Sequence, residues 1–265
     1  MLILSEDNKL KIGDDVADIN YSSTGQKVTL GTTKELDQRT TNNNKIVYNT
    51  LLVPYGKRSK IKLSDGSTVW LNSGSRMVYP AVFNEDKREV YLEGEAIFDV
   101  AHNKNHPFIV VSEDHQIEVL GTVFGVTNYL DENIINTVLK SGSVQISYHN
   151  DPSPLSTDKV KISPGTRASY NRKTMSILSE KVNVDNYFSW REGVLIFKNN
   201  DLSFIMKRLS RYYNISISIN DEISIDETFS GYLDLNENVE IVLQNIKEST
   251  NMDFMFFEDK IIIKN

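Results

Sequence analysis

The chain has 265 residues, of which 39% are hydrophobic, so it can bury a sizeable core and is longer than one average domain. Its net charge of −7 argues against nucleic acid as a partner, because nucleic-acid-binding proteins usually carry a basic surface. The absence of cysteine excludes disulfides, zinc–thiolate sites and thiol nucleophiles, and no run of about 18 apolar residues would span a bilayer.

The first 45 residues are polar and rich in Asn, Thr, Asp and Lys. Val28 and Leu30 indicate one strand, with Gly25 at a turn before it. Residues 40–44 contain no apolar side chain, which predicts a solvated loop. From composition alone, a flexible tether is one interpretation of this whole segment, and a tether would be poorly ordered.

Residues 46–181 alternate short apolar runs with turns and contain no helical period, which predicts an antiparallel all-β body. Residues 60–64 and 68–72 predict one hairpin, because Asp65-Gly66 tolerates the positive φ of a tight turn. Many short strands at similar spacing favour a sandwich or a flattened β-solenoid. Further strands are predicted at residues 89–93, 97–100, 108–111, 117–120, 123–129, 134–139, 144–146, 160–162, 168–170 and 177–178, with a break at residues 151–154.

The periodicity changes after an aromatic linker at residues 182–192. From residue 193 a strand precedes Asp201, a predicted helix N-cap, and Leu202, Ile205 and Leu209 then share one helix face. The same order recurs downstream, with Asn236 or Asn238 as the second N-cap. We therefore expect residues 193–265 to form a small α+β domain of the order βαβ–βαββ. Its predicted strands are residues 194–198, 215–219, 229–234, 253–257 and 260–264.

The sequence gives only weak signals for a catalytic site or a metal-binding site. His102 and His106 flank a loop that lacks the helical spacing needed to aim both rings at one ion, so a surface loop is favoured over zinc. Glu93 and Glu95 flank Gly94 at a predicted turn, which favours local pairing over paired-carboxylate catalysis. We expect that the protein is not an enzyme and that it binds no cofactor and no metal ion. We also expect His115 and His149 to face solvent.

Two sets of motifs stand at fixed spacing in the chain. The first, in the β body, is Leu63-x-Asp65-Gly66-Ser67-x-Val69-Trp70-Leu71-Asn72, Tyr79-Pro80, Phe83, Arg88-x-Val90, Leu92-x-Gly94-Glu95-Ala96-x-Phe98-x-Val100, Pro107-Phe108-x-Val110 and Val119-Leu120-Gly121-Thr122-x-Phe124-x-Val126. The second, in the C-terminal segment, is Trp190-x-x-Gly193-x-Leu195-x-Phe197, Leu209-Ser210-Arg211-x-Tyr213 and Ser230-Gly231-x-Leu233. The first set resembles the FecR family, whose members are membrane-bound anti-sigma regulators of bacterial surface signalling. The second set resembles the short N-terminal domain shared by secretins and TonB-dependent receptors, which is also found at the C-terminus of FecR relatives in Bacteroidetes.

The resemblance implies a division into domains and a set of partners. Residues 1–45 would be an N-terminal polar segment that pairs as a first hairpin of the β body, 46–181 the FecR-type β domain, and 193–265 the secretin/TonB short N-terminal-like domain. The implied partner is the periplasmic signalling domain of a TonB-dependent outer-membrane receptor. A sigma factor would bind a missing upstream cytoplasmic domain. We expect the chain to be the periplasmic, soluble part of an inner-membrane protein that meets the membrane only through a missing upstream helix.

The last strand is the main candidate for partner binding. Residues 261–263 are three successive isoleucines, too many for a strand with one solvated face. Either the domain covers this strand on both sides, or the strand forms an edge that meets a partner. The predicted partner-binding residues are Ile215, Ile217, Tyr232, Phe256, Ile261, Ile262 and Ile263.

A carbohydrate-binding β module with an accessory α+β domain is the alternative interpretation. Its sugar platform would consist of Trp70, Tyr79, Tyr91 and Tyr129, provided that these rings lie together on an exposed surface. Their positions inside predicted strands favour partial burial instead.

Overall fold

A computed structural model describes residues 1–4, 8–11, 16–32, 34–42, 45–84, 86–112, 115–151, 157–219, 227–250, 252–258 and 260–264. The chain divides into two compact units, Met1–Val184 and Asp185–Asn265. None of the helices formed by these residues is both long enough and apolar enough to cross a membrane. The expected combination of a mainly β body and a small α+β part is confirmed.

The first unit is built from twenty strands among its described residues. In chain order they are β1 Leu2–Leu4, β2 Asn8–Leu10, β3 Val16–Tyr21, β4 Lys27–Leu30, β5 Lys34–Asp37, β6 Thr41–Asn42, β7 Lys45–Ile46, β8 Tyr48–Leu52, β9 Arg58–Lys62, β10 Thr68–Leu71, β11 Arg76–Pro80, β12 Arg88–Asp99, β13 Phe108–Val111, β14 His115–Val119, β15 Val123–Asn128, β16 Ile134–Ser141, β17 Val144–His149, β18 Thr157–Ile162, β19 Thr166–Asn171 and β20 Ser176–Lys181.

Eighteen of these strands form two sheets that share β12. The first sheet has the order β2–β1–β8–β11–β12–β13–β14–β17–β18. The second has the order β5–β4–β3–β9–β10–β12–β15–β16–β19–β20. The body is mostly antiparallel, as expected, but two pairs, β12–β13 and β3–β9, are parallel. Both strands of a parallel pair begin at the same end of the sheet. A long connection, and not a tight turn, therefore joins the two strands of each pair.

Strand β12 passes from one sheet to the other at Gly94. Before this glycine β12 pairs with β11, and after it β12 pairs with β10. The φ of Gly94 is +103°, a conformation that favours glycine. A Cβ at this position would lie 2.5 Å from Ser75 Oγ, so the bend also depends on the absence of a side chain. The predicted strands 89–93 and 97–100 are therefore parts of one bent strand.

The hydrophobic core of this unit lies where the inward side chains of the two sheets meet. Phe98 and Phe124 stack there with ring centroids 5.0 Å apart, and Phe108 meets Phe98 at 6.1 Å. Leu2 and Leu4 of β1 are also buried in this core. The tether interpretation of residues 1–45 is therefore wrong for their described part, which forms strands of the body.

Two predicted loops in this unit have a mixed outcome. Part of the predicted solvated loop at residues 40–44 is a short strand, because Thr41–Asn42 pairs with Lys45–Ile46 just after the loop. Residues 43–44, like residues 152–154 of the predicted break, lie outside the described residues.

The second unit has the expected βαβ–βαββ order, preceded by a helical segment. The helix α1 Asp185–Phe188 and a 3-10 turn Ser189–Glu192 come first. The remaining elements are β21 Val194–Asp201, α2 Leu202–Tyr213, β22 Ser216–Ile219, β23 Thr228–Asp234, α3 Val239–Ser249, β24 Asp253–Phe256 and β25 Lys260–Lys264.

Side-chain caps begin both long helices of the second unit. The Phe204 N–H donates to Asp201 Oδ1 at 2.7 Å, so the predicted N-cap of α2 is confirmed. The Ile241 N–H donates to Asn238 Oδ1 at 2.9 Å, so Asn238, and not Asn236, caps α3. The strands form two sheets: β21 pairs with β23, and β25 lies between β22 and β24.

Candidate partner-binding surface

Alternation along β25 separates its three isoleucines. Ile261 and Ile263 are fully buried and belong to the hydrophobic core of the second unit. Ile262 points to the opposite face of the sheet and is half-buried. Ile261 and Ile263 therefore do not reach the surface of the unit, and the strand is fully covered on one face only.

Ile215 and Ile217 are half-buried and pack against the same core. Ile217 lies directly opposite Ile261 in the β22–β25 ladder, which places it on the core face of the sheet. Tyr232 belongs to the other sheet, where it lies opposite Ile196 of β21, and its side chain is 75% exposed. The seven predicted residues are therefore not brought together at one surface.

Phe256 lies within a larger exposed apolar segment, of which the predicted set of binding residues contained Phe256 alone. Met255, Phe256 and Phe257 are 37%, 49% and 51% exposed, although all three are large and apolar. We call residues 254–257 the β24 surface. Four successive apolar residues at this point of the sequence were the available signal, because a strand with one solvated face cannot hide such a run.

The β24 surface lies along an open sheet edge. Among the described residues, β24 pairs with β25 alone. The Phe257 N–H donates to the Lys260 carbonyl at 2.8 Å, so Phe257 and Lys260 form a hydrogen-bonded pair. Because such pairs alternate in an antiparallel ladder, the N–H and C=O groups of Phe254 and Phe256 point away from β25, toward the open edge.

The second unit carries most of the net negative charge of the chain. Residues 185–265 contain eight Lys and Arg against fourteen Asp and Glu, a net charge of −6 within the total of −7. Asp253 at the start of β24 forms an ion pair with Lys247 Nζ at 2.6 Å. Burial is the largest cause that raises the pKa of Tyr213, followed by the neighbouring Tyr212 and then by the carboxylates of Asp234, Glu237 and Glu240. An acidic surface of this kind favours a basic partner.

The other candidate groups have structural surroundings. Glu95 accepts hydrogen bonds from Asn72 Nδ2 at 2.7 Å and from Thr127 Oγ1 at 3.1 Å, which ties β12 to its neighbours. His106 Nδ1 lies 3.0 Å from Asn103 Nδ2, a donor, within the loop that also contains His102. The described ranges contain no cluster of three or more His, Cys, Asp or Glu side chains that could hold a metal ion.

The prediction that His115 faces solvent is wrong. His115 occupies an inward position of β14, is 6% exposed and stacks on Tyr170 with ring centroids 6.4 Å apart. Its Nδ1 lies within hydrogen-bond distance of Ser112 Oγ, so a polar partner offsets the cost of burial. His149 is half-buried.

The four aromatic residues of the carbohydrate interpretation do not form one exposed platform. Tyr79 and Tyr129 are buried, and the Tyr129 hydroxyl donates to the Ser73 carbonyl at 2.8 Å. Tyr91 is exposed, and the hydrogen bond from its hydroxyl to Glu89 raises its pKa to about 12. Trp70 is half-buried.

Comparisons with known proteins agree with this two-part architecture. Residues 49–145 match the family model described as FecR protein, and residues 194–263 match the one described as FecR, C-terminal. Two crystal structures of a candidate anti-sigma factor from Parabacteroides distasonis resemble the chain. One shares 29% identity with a TM-score of 0.74 over 82% of this chain and 98% of that chain. The other shares 28% identity with a TM-score of 0.75 over 83% and 99%. No curated protein matches the sequence.

Proposed function

Because the chain belongs to the FecR family, we propose that it is the periplasmic sensor and transducer region of a membrane-anchored anti-sigma factor. It would receive its signal from the periplasmic signalling domain of a TonB-dependent outer-membrane receptor. It would control an extracytoplasmic-function sigma factor, which binds an upstream cytoplasmic domain. The likeness to a candidate anti-sigma factor over four-fifths of the chain supports the regulatory role.

We propose that the two parts of the chain have different roles, with the domain boundaries expected from the sequence. Residues 46–181, the FecR-type β domain, would serve as the rigid body, and residues 193–265, a secretin/TonB short N-terminal-like domain, as the part that meets the receptor. Residues 182–192 would link them, and they include α1 and the 3-10 turn. The observation that carries this proposal is the exposed apolar β24 surface on an acidic unit, because unshielded apolar segments mark interaction sites.

The proposed role needs binding and not catalysis. A receptor that binds two states of the regulator with different affinity shifts their populations by that difference. A transient contact of this kind need bury only about 1,000 Å². The polar groups of Glu95 and His106 are held in hydrogen bonds within the β body and have no part in the proposed step.

Isothermal titration tests the proposal. We expect the full chain to bind the purified signalling domain of at least one TonB-dependent receptor saturably. As a control, it should not bind a signalling domain taken from a distant bacterium. In cells, disrupting that contact should change transcription from a promoter of the paired sigma factor. If no receptor signalling domain from the same bacterium binds, the proposal is wrong.

A further inference from the structure

We propose that the β24 edge accepts an extended strand from the partner protein, as a fourth strand of the β22–β25–β24 sheet. The inference rests on the proposed function, which identifies the partner as the receptor signalling domain. It adds the site and the chemistry of contact: main-chain hydrogen bonds along β24, with basic side chains on the incoming segment.

The hydrogen-bonding groups for such a strand are already in place. The N–H and C=O groups of Phe254 and Phe256 face the open edge, two residues apart, which corresponds to about 7 Å along a strand. An added antiparallel strand presents main-chain groups at the same spacing. Peptide recognition by strand addition gains affinity from these main-chain bonds and specificity from alternate side chains.

The β24 edge lacks the protection that proteins usually give to exposed strands. Edge strands are commonly shielded by charged side chains, proline or bulges. The edge strands β18 and β20 of the first unit carry such charges, among them Lys159, Lys161 and Glu180, all exposed. Residues 254–257, which include the last three residues of β24, have only large apolar side chains. An edge left open in this way fits one that is kept for a partner.

Charge argues for a different protein as the occupant and against a second copy of this chain. Two copies of the second unit would bring net charges of −6 together, which disfavours their association. The same charge attracts an incoming strand with lysine or arginine beside its apolar residues. Since Phe254 and Phe256 lie on one face of β24, the incoming residue opposite Phe256 would cover a ring that is now half exposed.

Substitutions at position 256 separate the main-chain contribution from the side-chain contribution. The Phe256 N–H takes no part in the β24–β25 ladder, so Phe256→Pro removes an outward donor and leaves that ladder intact. Phe256→Ala removes the ring and keeps the donor. In titrations of the full chain with a binding receptor signalling domain, we expect Phe256→Pro to bind about fivefold more weakly than Phe256→Ala. Circular dichroism and urea unfolding establish that both variants are folded.

Amide hydrogen exchange on the unsubstituted full chain provides a readout that needs no variant. The Phe254 and Phe256 amides should exchange fast in the free chain and slow at least tenfold with the receptor signalling domain bound. Binding without slower exchange at these amides would overturn the strand-addition inference and leave the proposed function intact. Failure of every receptor signalling domain to bind would overturn both. Sedimentation showing a dimer that Phe256→Pro dissociates would make a second copy the occupant, and so would also overturn the inference.

Discussion

Arg88 and Asp65 form a buried ion pair that joins separate segments of the β body. Arg88 Nη1 lies 2.8 Å from Asp65 Oδ2, and the two side chains are 4% and 11% exposed. Arg88 also donates to the carbonyl oxygens of Ala101 at 2.7 Å and His106 at 2.9 Å. Asp65 in turn accepts from the N–H and the hydroxyl of Ser67. One guanidinium therefore holds a hairpin turn against both ends of a neighbouring loop.

Removing Asp65 should leave the Arg88 charge buried without its counter-ion. We expect Asp65→Ala to lower the free energy of unfolding by about 3–5 kcal/mol, as is typical when one member of a buried pair is deleted. The measurement is urea unfolding followed by circular dichroism. The matched control is Glu35→Ala, because Glu35 and Lys27 form a 3.7 Å pair with both side chains more than 60% exposed. That change should cost no more than about 1 kcal/mol, and an equal loss in the two variants would contradict the prediction.

The buried tyrosine pair predicts a loss of stability at alkaline pH. The Tyr21 and Tyr79 hydroxyl oxygens lie 2.9 Å apart, and burial raises the pKa of both groups. In the unfolded chain these groups ionise near pH 10, so above that pH unfolding releases protons and stability falls as pH rises. Each tyrosine that stays neutral in the folded chain should contribute a slope of about 1.4 kcal/mol per pH unit.

Tyr79→Phe should reduce the slope of the free energy of unfolding against alkaline pH by the contribution of one tyrosine. At neutral pH it should cost about 1 kcal/mol, because the hydroxyl contact to Tyr21 is lost. Urea unfolding at several pH values between about 8 and 11.5 measures both effects. Tyr55→Phe, at a 46% exposed position of the same unit, is the control and should leave the slope unchanged. A Tyr79→Phe slope as steep as that of the unsubstituted chain would contradict the assignment.

Gly94 should be less tolerant of alanine than Gly165, although both glycines have positive φ. A Cβ there would meet Ser75 Oγ at 2.5 Å and Ser75 Cα at 2.6 Å, and Ser75 Oγ now bonds the Glu95 main chain. We expect Gly94→Ala to cost about 2–6 kcal/mol, from backbone strain and overpacking together. Gly165 has a φ of +78°, and an added Cβ there would meet no atom within 4 Å, so Gly165→Ala should cost only about 1–2 kcal/mol. Chemical unfolding of both variants tests the difference, and similar losses would show that Ser75 moves away freely.

Local signals in the sequence predicted much of this structure. The Asp65-Gly66 hairpin and the Asp201 N-cap were predictable because each depends on residues within a few positions. The parallel pair β12–β13 and the transfer of β12 between sheets were not, since they depend on contacts between distant segments. Burial of His115 was missed for the same reason: its stacking partner Tyr170 lies on the other sheet.

The candidate site shows the same limit. The runs at residues 254–257 and 261–263 are both wholly apolar, yet the first lies at the edge of its sheet and the second in the centre. A pattern of apolar residues identifies a strand, but only the pairing of strands decides which of them has a free side. Tyr232 and Phe256 are exposed, and their role in partner binding stays a prediction.

The alternation along β25 gives opposite predictions for two neighbouring isoleucines. Ile263 is fully buried, so Ile263→Asp would place an unpaired carboxylate in the core and should unfold the second unit. Ile262 lies on the opposite face, across from Met255, and is half-buried. Ile262→Asp should therefore keep the unit folded, at a cost of about 1 kcal/mol.

Hydrogen exchange of residues 185–265 in the full chain distinguishes these two outcomes. The Ile263→Asp variant should lose protection throughout α2 and α3, because both helices pack on the core that contains Ile263. The Ile262→Asp variant should keep that protection, with changes confined to β24 and β25. Equal loss in the two variants would mean that the domain covers β25 on both faces. The conclusion that Ile262 and the neighbouring Met255 lie on an accessible face of the sheet would then be wrong.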